Sequence, residues 1–384
     1  MNEPLCRAPW VTTYREQDGK VSPCCESSKP YEGVHASLTN EQIFRHPEVE
    51  KFKKQLLDGI WPDRCKNCKT QEERNQRSHR KVISHPRYER NFDVNTFHFR
   101  FIDHRSSNIC NFSCKMCSEH LSSTHAIIKK ASKFNFEMDK YPKNGVIEMP
   151  TNTQNIIDNI QDTKHLQFAG GEPLLMNSTW ELLDMAIDEG VAENISVGLI
   201  TNGSLLARNE EKIIDKLMHF KIAHITVSID AIGEAHDYWR HKGTWNAVDQ
   251  NMESLISQRV KDKFEVTVRT TIGWPTAWRA KEVFERYQGR IDNHFTGFIN
   301  GPPEWSIQQL PQKEIDKLAE YYKDWNDPYE LFSNTRSNIN HTQLRMAKKK
   351  LTMHDDYHKN NIIDIFPEHK DFIENHIMSL TLPD

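Results

Sequence analysis

Ser107–Ser118 reads SNICNFSCKMCS and sets Cys110, Cys114 and Cys117 in the spacing C-x3-C-x2-C. Thiolate is the soft ligand that iron–sulfur clusters take, and three thiols this close can converge on one cluster. In a 4Fe–4S cubane, three protein ligands leave one iron open to a small molecule. Cys114-x2-Cys117 alone would equally suit half of a zinc knuckle. Upstream, Phe97, Phe99 and Phe101 alternate with His98, Arg100 and Ile102, which is the period of a β-strand. The cysteine loop therefore follows a strand end, where parallel α/β folds place their binding loops.

Strand and helix signals alternate downstream. His165–Phe168 reads as a second strand, followed at once by Gly170-Gly171-Glu172-Pro173. Two glycines let backbone approach a ligand closely, and the missing third glycine excludes the dinucleotide fingerprint. Trp180, Leu183 and Ile187 then share a helix face that ends at Gly190. Ile195–Ile200 is a third strand ending in Thr201-Asn202-Gly203, and Ile213, Leu217 and Phe220 mark the next helix. His224–Ile229 is a fourth, with Ser228 and Asp230 at its exit. Arg240 lies on the following helix, and Trp245, Val248, Met252 and Leu255 form another apolar stripe. Phe264, Val266 and Val268 alternate in a fifth strand, and Phe295–Ile299 makes a sixth before Gly301-Pro302-Pro303. Six strand–helix units predict an α/β fold, a partial (β/α)6 barrel open on one side. Residues 304–384 are charged and helical, with stripes at Ile315, Leu318, Tyr322 and Trp325 and at Phe372, Ile373 and Ile377.

Composition suits a globular chain of 384 residues, 37% hydrophobic and 27% charged. A net charge of −4 gives no general pull toward nucleic acid or a membrane. No apolar run is long enough to span a bilayer, and the first twenty residues lack a signal-peptide core. All eight cysteines fall in the first 117 residues. Thiols clustered this way in a chain without secretion signals read as metal sites in a cytoplasmic protein.

Five of those thiols precede the central triplet. The segment GKVSPCC predicts a turn at Asp18-Gly19 and a short strand that delivers Cys24. Pro47 opens an amphipathic helix over residues 47–58, with Val49, Phe52 and Leu56 on one face, and Gly59 stops it. Cys65-x2-Cys68 follows. Cys6, Cys24, Cys65 and Cys68 could close a complete four-thiolate site, for zinc or for a cluster. Cys25 is left over, as a ligand or as a small buried hydrophobe. Residues 69–90 hold seven Lys/Arg against three Glu. Such a run is a solvated helix and linker, or a surface for a leader peptide or nucleic acid; few aromatics are interleaved, which disfavours the last.

The triplet together with GGEP resembles the signature of the radical S-adenosylmethionine (radical SAM) enzymes. The resemblance implies a catalytic 4Fe–4S cluster on Cys110, Cys114 and Cys117 whose open iron chelates SAM. SAM would then be cleaved to methionine and a 5′-deoxyadenosyl radical that abstracts hydrogen from a substrate. It also implies that Gly170, Gly171, Glu172 and Pro173 hold the SAM amino group. Asn202 would lie in the cofactor site, with Ser228 at the ribose or carboxylate and Arg240 at the carboxylate. The phrases CRAPW…DGKVSPCC and WPDRCKNC, with Ser78 and Arg80 soon after, resemble the SPASM and twitch modules. These imply an auxiliary 4Fe–4S cluster on Cys6, Cys24, Cys65 and Cys68. Three features depart from the family pattern: the module precedes the barrel, Met116 stands where an aromatic is common, and TVRTTIGWP lacks an Asn at its end. The implied layout is a module with its linker over 1–90, a radical SAM core over 91–303 and a helical extension over 304–384. A peptide or protein side chain is the expected substrate, with a small molecule or RNA as alternatives. A reduced flavodoxin- or ferredoxin-type donor would supply electrons. A zinc-stabilised, non-catalytic binding module is the competing reading, and it has no use for a GGEP loop.

Overall fold

The computed structural model describes residues 5–16, 19–73, 78–84, 92–97, 100–134, 138–148, 160–299 and 301–382. Its strands are β1 Thr12–Arg15, β2 Val21–Ser22, β3 Phe101–His104, β4 His165–Phe168 and β5 Ser196–Thr201. They continue with β6 Ala207–Arg208, β7 Glu211–Lys212, β8 Ile222–Ser228, β9 Phe264–Ile272 and β10 Asn293–Phe298. Eight make one sheet in the order β10-β9-β8-β5-β4-β3-β1-β2, and β6 with β7 forms a separate ribbon. The β3–β4, β4–β5 and β9–β10 pairs are parallel. Parallel neighbours need crossovers, which helices such as Asn177–Asp188 and Ala280–Tyr287 provide. The six expected strands thus stand in chain order with helices between them, in an α/β fold.

Two details differ from the sequence expectation. The first barrel strand begins at Phe101, not Phe97; His98 and Phe99 lie outside the described residues. Pairing sets the start, because Thr12 of β1 lies opposite Phe101. Phe97 instead packs its ring on Phe44, centroids 4.9 Å apart. The second difference is β1 itself: the cysteine-rich N-terminal segment adds β1 parallel to β3, and β2 antiparallel to β1. The short strand before Cys24 is β2, and Gly19 takes a positive φ of 85° in the expected turn, whose Asp18 lies outside the described residues. The basic run at 69–90 is likewise described only over 69–73 and 78–84.

The chain divides into two compact units, one of Met1–Asn108, Ile147–Leu199 and Asn209–His224, the other of Ile109–Val146, Ile200–Arg208 and Ile225–Asp384. Within the first, Trp10, Val21, Ile43, Val49, Phe52 and Leu56 form a core into which Cys6 is packed. Within the second, Trp239, Trp274, Trp305, Ile315, Leu318, Tyr322 and Ile373 form another. The predicted C-terminal stripes are therefore core, each such side chain contributing roughly 1.5–3 kcal/mol by burial. Among the described residues no helix is long and apolar enough to cross a membrane.

Several histidines are buried in neutral form. Burial lowers His104, His125 and His369 from the usual value near 6.5 to about 4. A group whose pKa is depressed by folding stabilises the fold above its unfolded pKa and loses that contribution as pH falls toward the folded value. Stability should therefore drop between pH 6.5 and about 4, by up to about 1.4 kcal/mol per histidine per pH unit. Urea midpoints at about pH 7.5 and about pH 5 test this, and His104→Asn should flatten the dependence.

Candidate functional site

The cysteine loop is held by its backbone. Ser123 Oγ accepts from Cys110 N–H at 3.2 Å, and Thr124 Oγ1 donates to the Cys110 carbonyl at 2.7 Å. Both residues open the helix Ser123–Ala131, capped by Ser122. Ser113 and Lys115 donate their N–H groups to the carbonyls of His241 and Trp239, each at 2.9 Å. The Phe112 ring seats against Gly243, where a Cβ would stand 2.5 Å from the ring. The three thiols are thereby presented by a loop pinned on both sides.

Their surroundings are polar and cationic. Asn202 donates to Asn111 Oδ1 at 2.9 Å and stands 4.0 Å from Cys110 Sγ. Burial pushes the Cys114 thiol up to about 12, opposed by the Arg240 guanidinium, and raises Cys117 as well. Thiols this reluctant to ionise need a cation to become ligands, so metal uptake would release protons. Arg240 caps the helix Gly233–Trp239 and is 7% exposed. Its Nε and Nη2 both donate to Asp230 Oδ2, at 2.9 and 2.8 Å, while Asp230 Oδ1 accepts from Thr271 N–H. Much of the Arg240 fork is thus engaged by Asp230, and its charge lies close enough to Cys114 and Cys117 to favour their thiolates. Ser228 is half-buried at the end of β8.

In the other unit, the glycine loop follows β4. Gly170 has φ 118°, and a Cβ there would meet the Ser107 carbonyl at 3.2 Å and Met176 Cε at 3.1 Å. Only glycine fits that conformation and that approach. Gly171 N–H donates to the same carbonyl at 3.3 Å. Glu172 is fully buried, and its carboxylate accepts from Leu174 N–H at 3.3 Å, capping the short turn Pro173–Leu175.

The same unit gathers the second thiol set. Cys6, Cys24, Cys65 and Cys68 line one cavity, with Pro23, Phe52, Trp61, Arg64 and Arg80 among its walls. Cys25 does not line it; its thiol lies beside Asp103 and Arg105, and burial holds it protonated, up to about 12. Backbone N–H groups of Arg80 and His79 donate toward Cys68, and that of Ala8 toward Cys6. Arg80 forks onto Glu72, donates to the Leu5 carbonyl at 3.1 Å and stacks 5.3 Å from the Trp61 ring. Arg64 lies over Tyr31, 4.9 Å from its ring centroid. Apolar side chains, two guanidinium groups and N–H donors aimed at sulfur suit an anionic group ligated by thiolate, while Glu26 lines the same cavity and opposes it. Among the described residues no three His, Cys, Asp or Glu side chains are drawn together tightly enough for a single metal ion. A cubane is wider than an ion and holds its thiolates further apart.

Sequence reasoning passed over three residues that build the loop. Gly243 and Phe112 reveal their fit only in three dimensions. Lys115 carries no sequence signal beyond its place between two cysteines, yet it is fully buried.

Residues 105–286 match the Radical SAM superfamily. The chain carries a radical SAM domain. The matched segment includes the cysteine loop, GGEP, Asn202, Ser228 and Arg240. A curated relative, the radical SAM cyclopropyl synthase TigE of Paramaledivibacter caminithermalis, is 28% identical over 138 residues, 34% of this chain and 27% of that protein. The aligned part is thus about a quarter of TigE. Among solved structures, native anSMEcpe with bound AdoMet aligns at 17% identity and TM-score 0.40, covering 65% of each chain. SuiB of Streptococcus suis bound to S-adenosylmethionine aligns at 12% identity and TM-score 0.40, over 80% of this chain and 63% of that one.

Proposed function

We propose that this chain is an iron–sulfur enzyme that uses SAM to modify a peptide or protein side chain. The observation that carries the reading is the pinned C-x3-C-x2-C loop inside the radical SAM domain. When bound, the catalytic cluster supplies the electron for reductive cleavage of SAM, and the cofactor carries the hard chemistry. The protein's part is to bind, orient and exclude water. Cys110, Cys114 and Cys117 hold the cluster, and the Arg240 charge favours the ionised forms of Cys114 and Cys117. Gly170, Gly171, Glu172 and Pro173 shape the loop for the SAM amino group, with Asn202 and Ser228 completing the cofactor contacts. Cys6, Cys24, Cys65 and Cys68 hold an auxiliary cluster, whose anionic charge Arg64 and Arg80 offset. The peptide substrate rests on the likeness of this thiol set to SPASM and twitch modules. We divide the chain into that module with its linker (1–90), the radical SAM core (91–303) and the helical extension (304–384). An oxygen-sensitive cluster and eight free cysteines fit a cytoplasmic setting with a flavodoxin- or ferredoxin-type donor.

Protein purified without oxygen, reconstituted with iron and sulfide and reduced with dithionite should convert SAM to methionine and 5′-deoxyadenosine. Zinc in place of iron after reconstitution, with SAM left intact, would overturn the reading in favour of a zinc-stabilised binding module.

A further inference from the structure

Lys115 lies between Cys114 and Cys117 and has no exposed side-chain surface. A buried ammonium is costly, and an apolar residue of similar size would give a more stable core. Its environment is built for it. Nζ donates to Asp355 Oδ1 at 3.1 Å and sits 3.8 Å from the centroid of the Tyr238 ring. Tyr238 Oη donates to the same carboxylate oxygen at 2.8 Å, and Asp355 Oδ2 accepts from Ile362 N–H at 3.2 Å. Asp355 belongs to the helix His341–His358, far along the chain from the loop.

The same helix reaches the loop's other anchor. His354 Nε2 lies 3.3 Å from His125 Nε2, and His125 sits on the helix whose first residues hold the Cys110 carbonyl and N–H. His358, one turn on, stacks against His241 at 3.2 Å between ring centroids, and the His241 carbonyl accepts from Ser113. One C-terminal helix therefore touches the cysteine loop through Lys115 and, at second hand, through both of its backbone anchors.

We infer that Lys115 and Asp355 are positioning residues: with Tyr238 they clamp the Cys114–Cys117 turn to the C-terminal helix and hold the thiols in the spacing the catalytic cluster requires. This rests on the cluster reading above. The C-terminal extension is then part of the cluster site and not merely a cover for the barrel.

The test follows iron loss to a chelator, read as decay of the EPR signal of the reduced cluster that changes when SAM is added. Far-UV circular dichroism and thermal melts run beside it. Lys115→Met and Asp355→Leu should each speed that decay at least about tenfold. The double variant Lys115→Met/Asp355→Leu removes both charges and should regain thermal stability while the decay stays fast. Wild-type decay in the folded double variant would show a merely structural pair and overturn the clamp. Decay unchanged in the single variants would overturn it too. A wild-type protein with no SAM-responsive signal would overturn the cluster reading itself, and the clamp with it.

Discussion

Changing Cys110, Cys114 and Cys117 together to Ala should lower the iron of the reconstituted chain from about eight to about four atoms and abolish SAM cleavage, because each cubane holds four irons. The variant should still fold. Most contacts that shape the loop backbone run through other atoms: Ser113 to the His241 carbonyl, Lys115 to Trp239, and Ser123 and Thr124 to Cys110 main-chain groups. The thiols themselves add a Phe112 N–H to Cys110 Sγ bond at 3.4 Å and a Cys117 Sγ to Ser118 carbonyl contact at 3.7 Å. The three cysteines are half-buried, and the Cys114 and Cys117 thiols are held protonated by desolvation, so replacing those two removes no charge from the metal-free fold. Circular dichroism close to wild type, half the iron and no 5′-deoxyadenosine is the expected set. Iron that stays near eight would mean the triplet is not a cluster site. About four irons in the wild type, with one zinc, would keep the radical SAM site and make the second thiol set a zinc site.

The candidate ligands were legible because their chemistry is local. A thiol triplet within eight residues and two glycines after an apolar strand need no tertiary structure to be noticed. Strands at 165–168 and 264–272 were equally plain, since alternation and flanking turns agree there. Less legible was whatever depends on partners far along the chain. β1 is four residues long, and its place in the sheet follows from pairing with β3 across the whole N-terminal module. Phe97 alternates with its neighbours as a strand residue would, but its ring is taken by Phe44 and the pairing starts later. Arg240 carries the right group for a carboxylate, yet the carboxylate it holds in the chain's own fold is Asp230. Lys115 was invisible as a buried residue because its partner lies 240 positions away.

The second large effect concerns the four-thiol cavity, where Cys65→Ala with Cys68→Ala should separate the two proposed clusters functionally. These two thiols lie on the short turn Asp63–Cys65 and the helix Lys66–Glu73; Cys65 packs against the core cluster that contains Cys6, and Cys68 is buried. Alanine at both positions favours the helix and leaves the large apolar side chains of that core in place, so secondary structure should persist. Iron should fall from about eight to about four, the residual cluster being the one that binds SAM. Reductive cleavage of SAM to 5′-deoxyadenosine should therefore continue, while formation of the modified peptide stops. Thermal stability should drop as well. Binding that exists only in the folded state stabilises it, and losing two ligands forfeits the link between the Cys65–Cys68 segment and the core around Trp10 and Phe52. The outcome that would sink the auxiliary-cluster assignment is full iron with loss of zinc in the variant. In that case these two thiols bind a structural ion, and Arg64 and Arg80 serve the packing of Tyr31 and Trp61 and their bonds to Pro30, Leu5 and Glu72.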